Sequence, residues 1–335
     1  MEYKKIIESI KKGDLHPVYL LNGEEPFGID KITDYISEHV LDESERDFNQ
    51  TILYAKDTPP INVLDAALRL PMMAERQVVI VKEAQEYTKA TQWEVFEKYF
   101  ETPVSSTILV FAFKYKKFDK RSKIYKILKK KAVIFESQGV KDWKLGEWIK
   151  DYLKSKKYSI EDKAVALISE FIGNDLSKIS NELEKLFISV PEGVQINVKH
   201  IEENIGVSKD YNVFELTNAV MVKDSKKALV IVDYFSKNTK ATNIVVVLGQ
   251  LLALYQRLFK AHFIKTNNPS EIAKALGCAP YPAKLAMDNK SKHPPKMISR
   301  NFTMLREYDL LAKGVGSTGI DQAELLKELV FKLLH

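Results

Sequence analysis

The stretch VYLLNGEEPFGIDK, residues 18–31, combines residue types and spacing suited to chemistry. A short apolar row leads into Gly23, four residues intervene, Gly28 follows, and a helix-like pattern begins. This is the outline of a phosphate-binding loop. Such a loop needs backbone N–H groups converging on an anion, a Lys for the β- and γ-phosphates, and a Ser or Thr hydroxyl for Mg²⁺. Here Ile29 and Asp30 take the last two places, and Glu24 and Glu25 lie where the phosphates belong. Two like unit charges about 4 Å apart repel by about 4 kcal/mol at an effective dielectric near 20. A triphosphate is therefore not expected at Gly23, Gly28, Ile29 and Asp30, which read as a degenerate loop. A chance match of two glycines gives the same pattern.

The second nucleotide element of such a domain is an apolar strand ending in acids that serve Mg²⁺ and water. The candidate is VVIVKEAQEY, residues 78–87, with Lys82 where the metal-binding Asp is expected. Glu83 alone does not supply both functions. Two independent elements thus fail in the same direction, and no cofactor is expected.

A different kind of site lies in LRLPMMAERQVVIV, residues 68–81. Pro71 stops a helix, and Met72 and Met73 follow it. Adjacent residues of an extended loop point to opposite sides, so both methionines do not readily enter one core. One reading has a single Met covering the end of a sheet. The other has an apolar plug for a partner's pocket, a use that suits the flexible, polarizable thioether.

The basic residues are concentrated. Lys114–Lys131 holds ten Lys or Arg and one acid, whereas the whole chain carries +6. The remainder is therefore slightly acidic, and the local cluster says more about partners than the overall balance does. As a helix, residues 120–131 put Ile124, Ile127 and Leu128 inward and lysines outward. That face is either simply solvated or contacts nucleic acid phosphates or an acidic protein surface, with Lys129, Lys130 and Lys131 as candidates.

Other chemistries find little support. Cys278 is the sole cysteine, so neither an intramolecular disulfide nor a Cys-based zinc site is expected. Cys278 reads as a small buried apolar residue. The His residues are scattered without ligand spacing, and no metal site is expected. No Ser/His/Asp or Cys/His set stands out, so no catalytic residue is assigned.

These residues require a scaffold. Up to about residue 140 the pattern alternates: strands at 17–21, 48–55, 76–84, 106–113 and 132–137, helices at 26–40, 60–70, 92–102 and 120–131. That alternation predicts a P-loop-like α/β domain with a parallel sheet. Beyond it the pattern is helical. Gly173-Asn174-Asp175 marks a sharp helix boundary, a glycine C-cap followed by an Asp N-cap. The predicted domains are 1–140 (α/β), 141–208 (small helical lid) and 209–335 (all-α). The longest apolar stretch, residues 241–259, is interrupted by Asn243, Gly249, Gln250 and Arg257, which argues against a membrane span. The N-terminus is an amphipathic charged helix and not a signal peptide, so a cytoplasmic location is expected.

Several stretches together resemble the delta subunits of the bacterial DNA polymerase III clamp loader. HPVYLLNGEEPFGIDK is similar to that family's opening strand, loop and helix, and LPMMAERQVVIVKEAQ to its helix-break-strand segment. FIGNDLSKISNELEKL, residues 171–186, resembles its lid signature and is the most specific match. VFELTNAVMVKDSKKAL, residues 213–229, resembles the start of its collar domain. The resemblance implies an AAA+ fold without intrinsic catalysis, a non-ATPase subunit of a DNA-directed DNA polymerase (nucleotidyltransferase) holoenzyme. It implies binding to the beta sliding clamp and opening of one ring interface for loading onto primed DNA. It also implies a hetero-pentamer with gamma/tau motor subunits and delta-prime, contact with primer-template DNA through the complex, and a place in the replisome at the nucleoid. The family's wedge falls on Met72 and Met73, although many relatives carry aromatic or Leu-Phe pairs there. Sibling motor and stator subunits usually carry a four-Cys zinc module and a Ser-Arg-Cys motif. One Cys, and no arginine in GVSKD at 206–210, argue against those classes. Two other readings stay open: an ATPase with an unconventional site, and a DNA-binding module acting through Lys114–Lys131.

Overall fold

Five strands carry the N-terminal unit: β1 (Val18–Gly23), β2 (Gln50–Tyr54), β3 (Gln77–Lys82), β4 (Thr107–Lys114) and β5 (Val133–Ser137). In a computed structural model that describes residues 2–205, 212–238, 243–316, 319 and 321–335, they form one parallel sheet in the order β2-β3-β4-β1-β5. β1, β3 and β4 are buried along nearly their whole length, as expected of strands covered on both faces.

The helices of this unit are α1 (Glu2–Lys11), α2 (Pro26–His39), α3 (Glu43–Asn49), α4 (Pro60–Leu68), α5 (Ala90–Glu94), α6 (Glu97–Glu101) and α7 (Lys123–Lys131). Val18, Leu20, Val79, Val81, Leu109 and Phe111 face α4 to α7 through Ala67, Trp93, Phe96, Phe100, Ile124 and Leu128. Strand residues of the other parity, among them Tyr19, Leu21, Ile80 and Val110, are equally buried on the side covered by α2. The helix predicted over 92–102 is broken. Trp93 donates to Tyr87 O at 2.9 Å, and Phe96 packs against Phe100 and Phe111, so two short turns serve one aromatic core. α3 lacks an apolar stripe and is absent from the periodicity reading. Asp42 N donates to Glu45 Oε2 at 3.2 Å at its start, and Arg46 ties it to α2 by donating to Leu41 O and Glu38 O.

One compact unit ends at Gly139 and a second begins at Val140. The second contains α8 (Asp142–Ser155), α9 (Asp162–Ile172), α10 (Leu176–Ser189) and α11 (Val198–Ile205). It continues with α12 (Val213–Val222), α13 (Ser225–Lys237), α14 (Ile244–Ala261), α15 (Pro269–Leu276), α16 (Pro280–Asn289), α17 (Pro295–Ala312) and α18 (Gln322–Leu334). Two-residue strands β6 (Ser159–Ile160) and β7 (Gln195–Ile196) pair in parallel, an element without signal in the sequence. The boundary expected near residue 208 and the segment 206–210 lie outside the described residues. Gly173 adopts φ 77° and the Asp175 side chain accepts from Lys178 N at 3.0 Å, the expected paired caps.

Contrary to the sequence reading, α14 is long and apolar enough to cross a membrane by length and composition. In the fold it is the core helix of its unit, burying Val247, Leu251, Leu254, Tyr255 and Leu258. The turn after α16 fastens other helix ends. Lys290 Nζ donates to Ala261 O, Lys292 Nζ to Val222 O, and buried His293 engages Met221 O through Nε2. Such contacts satisfy C-terminal carbonyls that lack partners within their own helices.

Candidate functional site

The loop between β1 and α2 is filled from within. Glu25 is the N-cap of α2, and its carboxylate accepts from Phe27 N at 3.0 Å. An internal anion thus holds the helix N-terminus where a phosphate would be bound. Glu24 pairs with Lys117 at 3.4 Å and Asp30 with Lys114. Ile29 is fully buried under the sheet. Gly23 has φ 144°, and a Cβ there would overlap the Ser137 carbonyl. Gly28 packs against the Phe135 ring. Both glycines therefore have packing reasons in β5. At the end of β3, Lys82 closes the strand and Glu83 turns left-handed with φ 55°. Among the described residues, no group of three His, Cys, Asp or Glu is gathered to hold a metal ion.

Met72 and Met73 stand on the loop between α4 and β3. Met72 is 62% exposed and Met73 fully exposed, so neither covers the end of the sheet. Leu68 and Leu70 beside them are also exposed. Met73 has φ 55°, unusual for a residue with a side chain.

Two buried amides that the sequence reading passed over hold this loop. Gln77, first in β3, donates through Nε2 to Arg69 O and to Thr107 Oγ1. Asn49, last in α3, accepts from Met72 N at 2.6 Å and donates to Met72 O at 2.9 Å. The only sequence signal for either is a polar residue beside an apolar strand.

The basic segment is less free than its composition suggests. Lys114, Lys117, Lys120, Arg121 and Lys123 pair with Asp30, Glu24, Glu136, Asp119 and Glu97. Lys129, Lys130 and Lys131 end α7 exposed and make no ion pair among the described residues. As helix-terminal cations they also complement the dipole of α7. Ile124 and Leu128 are buried and Ile127 packs beside them, the inward face the sequence predicted. Cys278 is half-buried rather than buried. Burial pushes its thiol up, against the opposing influence of Arg257, which disfavours the reactive thiolate.

A parallel α/β sheet unit followed by a helical unit defines the class of fold, an α/β domain with a largely helical C-terminal region. The family model described as DNA polymerase III, delta subunit, matches residues 19–138, and the model of that family's C-terminal domain matches residues 210–333. The chain belongs to the DNA polymerase III delta-subunit family, a clamp-loader family of DNA replication. DNA polymerase III subunit delta of Bacillus subtilis (strain 168) is 26% identical over 334 residues, 96% of this chain and 94% of that protein. The solved Bacillus subtilis DNA clamp loader delta protein is similar in fold, with TM-score 0.57 and 24% identity over 99% of both chains. DNA polymerase III subunit gamma of Buchnera aphidicola subsp. Schizaphis graminum (strain Sg) is 24% identical over 159 residues, 45% of this chain and 43% of that protein.

Proposed function

We propose that this clamp-loader delta subunit binds the sliding clamp with Met72 and Met73 and opens one interface of the ring for loading onto primed DNA. The observation that carries this reading is the exposure of an adjacent apolar pair on a loop whose main chain is held by buried amides. Exposed large apolar residues grouped on one loop suit a partner's pocket, and burying each contributes about 1.5–3 kcal/mol. ATP chemistry then belongs to neighbouring motor subunits of the gamma/tau class. Together with delta-prime these would complete a hetero-pentamer around primer-template DNA, in the cytoplasm at the nucleoid. The domain partition 1–140, 141–208 and 209–335 would separate the clamp-binding, lid and collar roles.

Affinity for the cognate sliding clamp, compared between wild type and Met72→Ala/Met73→Ala, tests the reading. Loss of at least about two orders of magnitude is expected for two hot-spot residues. Equal affinity would remove the pair from the interface.

A second, compatible contact is favoured by the ion-pair pattern. Lys129, Lys130 and Lys131 are exposed lysines of the segment without acidic partners among the described residues, and we propose that they meet the phosphates of DNA held by the assembled loader.

A further inference from the structure

The geometry points to Asn49 as the residue that positions the Met72–Met73 pair for its partner, an inference that rests on the reading of that pair given above. Asn49 is 4% exposed. Its Oδ1 accepts from Met72 N at 2.6 Å, and its Nδ2 donates to Met72 O at 2.9 Å and to Glu45 O at 3.1 Å. Reversing the amide would set Nδ2 against an N–H donor and Oδ1 against two carbonyl oxygens, so the network admits one orientation. One side chain thereby fixes both main-chain polar groups of the first methionine.

The anchor is itself braced. Arg46 bonds to Leu41 O at 3.3 Å and to Glu38 O, tying α3 to the end of α2. Gln50 Nε2 donates to Ser37 Oγ at 2.6 Å. On the other side of the loop Gln77 holds Arg69 O. Between the two amide contacts lie Leu70 and Pro71, and directly beyond Met72 the chain turns left-handed at Met73, φ 55°. A side-chain-bearing residue stays in that region only where its surroundings fix it, and the bonds at Met72 fix the neighbouring peptide.

The consequence is preorganisation. Methionine side chains are flexible, so an apolar pair on a loose loop would lose both main-chain and side-chain freedom on docking. A main chain set in advance removes the first of these costs. A loop that holds the competent geometry one-tenth of the time binds about tenfold more weakly. Asn49 touches no partner in this account. It acts through Met72.

The test uses the full chain and the cognate sliding clamp, at a temperature where circular dichroism shows every variant folded. Asn49→Ala removes the anchor. Asn49→Asp keeps its size but sets a carboxylate oxygen against Met72 O and Glu45 O. Both variants are expected to bind the clamp about tenfold more weakly. Amide exchange at Met72 in the free Asn49→Ala protein should accelerate by at least about tenfold. Adding Asn49→Ala to Met72→Ala/Met73→Ala should weaken binding no further. Faster exchange with unchanged clamp affinity in Asn49→Ala, while the methionine variant loses binding, overturns the positioning role and leaves the pair's role standing. A further loss on adding Asn49→Ala to the methionine variant also overturns it, because the amide would then act outside the pair. Unchanged affinity of the methionine variant removes both readings together.

Discussion

A Cβ placed on Gly28 would lie 2.8 Å from Cζ of Phe135. That distance explains a glycine which the sequence presents as part of a nucleotide motif. β5 runs beside β1, and the Phe135 ring occupies the space that a side chain on the first turn of α2 would take. Glu25 caps the N-terminus of the same helix. The glycine is kept by packing, whatever its origin.

Gly28→Ala is therefore expected to destabilise the protein by about 1–3 kcal/mol through overpacking. Urea denaturation of the full chain measures this. Combining it with Phe135→Leu should recover part of the loss, and equal destabilisation with and without the Phe135 change would refute the contact as the cause.

Glu215, buried in α12, pairs with Lys163 of α9 at 3.0 Å and with Lys227 of α13. Burial pushes its carboxyl up, but the hydrogen bonds and charges of the two lysines outweigh this and hold it below the usual range. The sign follows directly. The unfolded carboxyl takes up its proton first on acidification, so the contribution is full above about pH 4.3 and is lost as pH falls through the folded value. Glu215→Gln should cost about 2 kcal/mol at neutral pH and flatten the acid limb of stability. An unaltered limb would show that the bridge is energetically neutral.

His293 is fully buried, with Nε2 2.8 Å from Met221 O. Burial lowers its pKa, the bond to Met221 partly restores it, and Lys223, Lys292 and His262 lower it further. The ring thus binds a proton more readily when unfolded than in the fold. Its stabilising effect is complete above about pH 6.5 and fades as pH drops below that value through the folded pKa. Thermal unfolding of His293→Gln between about pH 7 and pH 5 should show a shallower pH slope than wild type. Parallel slopes would exclude His293 as the titrating group.

Lys129, Lys130 and Lys131 differ from Lys114, Lys117, Lys120 and Lys123, which already have acidic partners. If the three meet DNA phosphates, changing all three to Gln should reduce the slope of log affinity against log salt by up to about 3 for primed DNA and assembled loader. Fluorescence anisotropy across a salt series measures that slope. The same slope in variant and wild type would leave α7 a solvated face.

Much of the scaffold was legible because its signals are local. The apolar rows at 78–81 and 107–113 contain mostly strand-forming residues, and Pro60, Gly173 and Asp175 punctuate helices through their own backbone preferences. The absence of a Lys and a hydroxyl after Gly28 was equally plain, since Ile29 and Asp30 stand there. Prediction failed where distant partners decide the conformation. ESERDFN has no apolar face, and Arg46 reaching α2 helps to dock it as α3. The helix expected through Val95 and Phe96 gives way to two turns packed in the aromatic core.

By itself the sequence determined the order of the five main strands, the lack of a Lys and a hydroxyl after Gly28, and the presence of two methionines after a helix-stopping proline. Only the tertiary structure decided that those methionines face outward, and that four of the ten basic residues of the segment pair with acids brought from the loop after β1, from α2, β5 and α6. It also decided that Asn49 grips Met72 across twenty-three positions of chain. The physical reason is range. Backbone preference and hydrophobic period act over a few residues and can be read along the chain, whereas a buried amide or carboxylate is satisfied by whichever partner the completed fold sets within about 3 Å.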